Sequence, residues 1–175
     1  LFFMLSSASA VASALFMYRV LEKDPSWSLG WRQPRRLFRA LQGLLLGSLL
    51  IAVSFGMIWV LGGIRIVGAA WTEGIAASVG LDGLLFVAVG IGEELFARGY
   101  IYGLVKSKGG FPAAVAVSSL VFALLHSMNE AVFSSVFPMV NLVLAGVLFA
   151  LVREASGGLW MPIGAHIAWD FLPGS

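Results

Sequence analysis

Cysteine is missing from this chain of 175 residues, and charge is scarce. The first absence excludes disulfides, thiolate nucleophiles and cysteine-ligated zinc, leaving histidine and carboxylate for any metal chemistry. The second fixes the class of molecule. Charged residues make up 11% of the chain, against about 25% in soluble domains. Hydrophobic residues make up 59%, and mean hydropathy is +0.94. Such a chain belongs in a bilayer. The sequence also lacks a soluble repeat, a low-complexity tract, a long linker and any broad basic patch. Its net charge of +2 comes from basic residues beside apolar runs, which gives no footing for nucleic acid. At this length one compact helical bundle is expected, so residues 1–175 read as a single membrane domain. There is no initiator Met, and Leu1 stands inside an apolar run with no basic segment before it. That run reads as a span of an N-terminally truncated chain, not as a signal peptide.

The apolar runs predict an all-α, polytopic transmembrane bundle of about six spans, at 1–18, 40–64, 84–105, 109–125, 131–152 and 158–172. Small residues at helical spacing (Ser9 and Ser13, Ala10 and Ala14, Gly43 and Gly47) predict close helix approach. The connector at 22–36 carries Trp27 and Trp31, with Arg32, Arg35, Arg36 and Arg39 around its end. Its expected role is topological, with tryptophans at headgroup level and arginines on the cytoplasmic side, and a site for an acidic lipid or partner is the alternative. Basic residues follow the first, third and fifth spans, while Glu73, Asp82 and Glu130 lie between the others. The alternation satisfies the positive-inside rule with the N-terminal end outside. Trp59, Trp71 and Trp160 read as interfacial or lipid-facing anchors.

Charge inside the third run is out of place. Glu93, Glu94 and Arg98 together cost about 9 kcal/mol at a bilayer centre, and the neighbouring Leu, Ile, Val and Phe residues return roughly 5 kcal/mol. Other helices must therefore supply polar partners. Glu94 and Arg98 stand at i,i+4 and can pair within the helix, whereas Glu93 points about 100° away and is free to work. Besides these, the ionisable groups inside apolar runs are His126, His166 and Asp170, and His166 and Asp170 are one turn apart. Carboxylates and imidazoles from three helices make a general base, oxyanion donors and a possible water or metal clamp. Counting along the helices, Glu93, His126 and His166 reach one level only if the fourth span tilts, starts late near Pro112 or continues past Met128. One of these is expected.

The ordered motifs E-E-x-x-x-R at Glu93–Arg98, F-x-x-x-H at Phe122–His126 and H-x-x-x-D at His166–Asp170 resemble those of the CPBP family of intramembrane proteases. That family includes the type II CAAX prenyl endopeptidases and bacterial relatives linked to bacteriocin self-immunity. The resemblance covers 81–172 as a catalytic core, and extends to Asn141 and Gly146 and to the Gly158-Leu159-Trp160-Met161-Pro162 approach to His166. It implies an intramembrane endopeptidase in which Glu93, with His126, activates a water, and His166 and Asp170 position or stabilise the oxyanion. Glu94 and Arg98 would organise the site. An ionised Asp170 cannot donate to an oxyanion, so it would stay protonated, bind metal or orient His166. The metal expectation is zinc or another divalent ion on His126 and His166, without H-E-x-x-H spacing to single it out. Implied partners are membrane lipids and a peptide or lipid-modified protein substrate, in a multi-pass protein of a prokaryotic cell membrane. The sequence leaves the oligomeric state open. Two other classes compete: a non-catalytic immunity or peptide-binding membrane protein, and a proton-coupled transporter using Glu93, Glu94 and His166 as a relay.

Overall fold

The computed structural model describes residues 2–23, 26–68, 72–127, 132 and 135–174, so the expectations placed on Trp71 and Glu130 lie outside the described residues. The described residues form helices and no strand: α1 Phe2–Phe16, α2 Arg36–Val60, α3 Glu73–Glu94, α4 Tyr102–Leu125, α5 Val136–Ser156 and α6 Trp160–Gly174. Two π-helical stretches, Met17–Leu21 and Leu95–Ile101, extend α1 and join α3 to α4. The elements end where the sequence supplies caps. The Thr72 hydroxyl accepts from the Ile75 amide at 3.3 Å to open α3. Gly157, at φ 71°, closes α5 in the left-handed conformation.

Four stretches among the described residues are long and apolar enough to cross a membrane: Phe3–Leu21, Arg36–Val60, Gly74–Leu125 and Val136–Ser156. The expected count was about six, and the difference has two causes. The third and fourth expected spans form one helical run, broken inside α4 at Gly110, where φ is 78° and ψ −178°. Pro112 follows two residues later, in the first turn of the returning segment, where its missing N–H does no harm. The fourth segment therefore starts late, near Pro112. The sixth expected span corresponds to α6, whose 15 residues cover only about 22 Å of a hydrocarbon core about 30 Å thick.

Packing follows the small residues. A Cβ at Gly43 would run into the Met161 carbonyl oxygen, and one at Gly164 into the Ala40 carbonyl oxygen, so α2 and α6 cross in backbone contact. At Gly146 an added Cβ would lie 2.8 Å from Ser119 Cα, which holds α5 equally close to α4. The outer faces remain apolar and exposed, as with Leu41, Leu45 and Leu49 on α2.

The connector before α2 is more than a topological marker. It folds back as a strap across the turn between α5 and α6. The Gln33 side-chain Nε2 donates to the Ser156 carbonyl at 2.7 Å, and the Leu159 backbone amide donates to the Gly30 carbonyl at 3.1 Å. Trp160 Nε1 donates to the Trp31 carbonyl at 2.9 Å. Trp27 faces inward, its ring 5.0 Å from that of Tyr18 and 5.8 Å from that of Tyr100, with Gly103 leaving room for it. Lys106 reaches Glu154 at 2.6 Å at the same end of the bundle. The connectors after the first, third and fifth expected spans thus meet.

Candidate active site

Three helices deliver the ionisable groups. Glu93 and Glu94 are the last two residues of α3, His126 caps the C-terminus of α4, and His166 and Asp170 lie one turn apart on α6. Arg98 comes from the π-helical stretch, most of which is buried. π-helical turns inside α-helices often mark functional positions. The turn begins just after Glu94, so the expected i,i+4 pair survives: Arg98 Nη1 donates to Glu94 Oε1 at 2.9 Å.

The site has an inner layer and an outer one. Glu94 and Arg98 are 0% exposed and His166 is 2% exposed. In this layer Glu94 Oε1 accepts from Arg98 and also lies 2.9 Å from His166 Nδ1. Arg98 Nη2 donates to the Gly146 carbonyl at 3.1 Å. The guanidinium is 4.2 Å from the Phe122 ring centroid and 5.3 Å from that of Phe149. The His166 ring stacks on Phe149 at 4.9 Å and 16°. Buried charge is tolerated here because each ion has an opposite ion, a carbonyl dipole or an aromatic face against it.

Glu93, His126 and Asp170 form the outer layer, with side chains 24%, 28% and 26% exposed. Asp170 Oδ2 is 3.2 Å from His166 Nε2. Glu93 Oε2 is buried and has no hydrogen-bond partner among the described residues. It lies 3.7 Å from His126 Nε2 and 3.8 Å from His166 Nε2. His126 Nδ1 is 2.9 Å from the Phe122 carbonyl oxygen. A carbonyl only accepts, so that nitrogen carries the proton, and a neutral ring turns the lone pair of Nε2 toward Glu93.

All six residues singled out in the sequence are therefore neighbours. The metal expectation fits less well. Both ring nitrogens of His166 already face carboxylates, and among the described residues no group of three or more His, Asp or Glu side chains is disposed to hold one metal ion. Reading by residue type passed over Phe149, which carries no chemistry of its own, and the resemblance that took in Gly146 gave it no part in holding Arg98. The signal available for them was spacing: Gly146, Phe149 and Arg153 recur at i, i+3 and i+7 on the buried face of α5.

Carboxylates and imidazoles gathered from three helices of an apolar bundle are groups able to bind and activate a water within a membrane. The family model described as type II CAAX prenyl endopeptidase Rce1-like matches residues 76–172. The match covers more than half of the chain, which belongs to that family and is a CAAX-protease-like integral membrane peptidase at family level. No curated protein and no solved structure matches the chain.

Proposed function

We propose that the protein is an intramembrane endopeptidase that hydrolyses a peptide bond in a membrane-associated peptide or lipid-modified protein, with Glu93 as general base. One observation carries this reading. The buried, unpartnered Glu93 Oε2 faces Nε2 of His126 and Nε2 of His166 at 3.7 and 3.8 Å. Both distances are too long for direct hydrogen bonds and short enough for a small polar group between them.

A water held there donates one hydrogen bond to Glu93 and the other to His126, which aims an oxygen lone pair at a bound carbonyl. As the oxygen–carbon bond forms, Glu93 takes the water's proton, and the carbonyl electrons move onto its oxygen. His166 Nε2 is the donor nearest to that oxyanion, which shares with Asp170 the proton on that nitrogen. Its two ring nitrogens face Glu94 and Asp170, and it donates to both only when both are protonated. Collapse of the intermediate breaks the carbon–nitrogen bond, and the proton on Glu93 passes to the departing amine. Of the three roles open to Asp170, the 3.2 Å contact favours orienting His166. Glu94 and Arg98 act as positioning residues, since neither reaches the outer layer.

The test is cleavage of farnesylated and unmodified C-terminal peptides by the purified chain in proteoliposomes. Glu93→Gln is expected to lower kcat by about 10²–10⁴-fold without loss of folded protein. Cleavage at the wild-type rate by that variant sinks the mechanism, and a retained biological effect without cleavage favours the binding-protein reading. Activity abolished by a chelator and restored by zinc would replace the metal-free water with a metal-bound one. The modification on the better-cleaved peptide identifies the substrate class.

A further inference from the structure

The strap carries a charged surface that peptide hydrolysis does not use. No Asp or Glu occurs between Asp24 and Glu73, yet Arg32, Arg35, Arg36 and Arg39 fall within that interval. None of the four guanidinium groups is within ion-pair distance of a carboxylate among the described residues, and the partners they do have are neutral. Arg39 Nη1 donates to Gln42 Oε1 at 3.0 Å, and the Arg36 guanidinium sits 5.9 Å from the Trp160 ring centroid. The first turn of α2 contains no acidic residue to offset them. Elsewhere at this end of the bundle, Lys106 is neutralised by Glu154 at 2.6 Å.

Below the arginines, Leu37, Leu41, Leu45 and Leu49 recur every four residues along α2 and are 53–72% exposed. They make an exposed apolar stripe that begins next to Arg36 at the head of α2 and runs into the bilayer. The cluster is held in place: Gln33 bonds Ser156, and Trp31 accepts from Trp160.

We propose that Arg32, Arg35, Arg36 and Arg39 bind the phosphate of an anionic phospholipid whose acyl chain lies along Leu37, Leu41, Leu45 and Leu49. Charge complementarity selects an anion, and the continuous apolar track selects a lipid over a soluble phosphate. Guanidinium forks suit phosphate oxygens, and clustered basic residues beside a membrane helix attract anionic headgroups. The proposal is independent of the peptidase reading.

The test uses the full chain in phosphatidylcholine vesicles with trace spin-labelled phosphatidylglycerol or phosphatidylcholine, and reads the relative association of the two. Wild type is expected to prefer phosphatidylglycerol. Arg32→Gln with Arg35→Gln should lower that preference by on the order of fivefold per arginine, leaving Arg36 and Arg39 to maintain orientation, while Lys108→Gln leaves it unchanged. No wild-type preference, or an equal loss in the Lys108 variant, overturns the proposal. So does full displacement by soluble glycerol phosphate, which would identify a soluble anion as the ligand. Photoactivatable phosphatidylglycerol on wild type needs no variant to fold: adducts within 31–49 support the site, and adducts only elsewhere overturn it.

Discussion

At the residue scale, two adjacent glutamates have opposite circumstances. Glu94 is fully enclosed, with Oε1 shared by Arg98 and His166 and Oε2 without a hydrogen-bond partner among the described residues, while partly exposed Glu93 presents its unpartnered oxygen to two imidazoles. The difference predicts opposite mutational behaviour. Glu94→Gln leaves the Arg98 charge buried without its counter-ion, which costs about 3–5 kcal/mol. The fall should appear as a lower thermal midpoint in detergent. Combining it with Arg98→Met removes both charges and should restore much of the stability, because replacing a whole buried pair is often near neutral. It should restore no activity, since Nδ1 of His166 then faces a neutral amide in place of a carboxylate. A double variant no more stable than the single one would show that the pair is not the source of the loss. The pairing of Glu94 with Arg98 was legible from a spacing of four. The stacking of Phe149 on His166 was not, because an aromatic residue in an apolar helix looks the same whether it faces lipid or a buried imidazole.

At the element scale, the decisive feature is the break at Gly110. Without it, the run from α3 through α4 would carry His126 ever farther from Glu93; with it, the chain turns and returns His126 to the end of α3. The backbone there, at φ 78° and ψ −178°, lies in a region that is essentially glycine-only, and other residues pay about 1–3 kcal/mol to occupy it. Gly110→Ala is therefore expected to lower the thermal midpoint and to reduce cleavage more than that instability explains, since His126 depends on the turn. A variant with wild-type midpoint and turnover would show that the break is dispensable. Sequence indicated a late start near Pro112 because the three levels had to meet, but it could not assign the turn to Gly110. Likewise Gly43 and Gly47 announced a close helix contact without naming α6 as the partner, since periodicity describes one surface and not the surface that covers it. Treating every apolar run as a complete crossing gave six spans, and the short α6 shows where that reasoning stops.

For the whole molecule, the strap explains why basic connectors distant in sequence share one end. Trp27 against Gly103, Gln33 on Ser156 and Lys106 on Glu154 join the chain segments after α1, after the π-helical stretch and after α5. α5, with 21 residues, places its other end about 31 Å away, and the start of α3 at Thr72 lies on that distant side. By the positive-inside rule the strap end is expected on the cytoplasmic side. The absence of cysteine allows a direct check, because any introduced thiol is the sole one in the chain. Ser28→Cys and Ser107→Cys should behave alike toward an impermeant maleimide on sealed inside-out vesicles, reacting without detergent. Thr72→Cys and Ser135→Cys should react only after permeabilisation. All four original side chains are exposed, so a failure to label with detergent present is not the expected outcome for any of them. If Ser28 and Ser107 reported opposite sides, the strap would not close one end of the bundle. The contacts that carry α6, and with it His166, would then have to be redrawn.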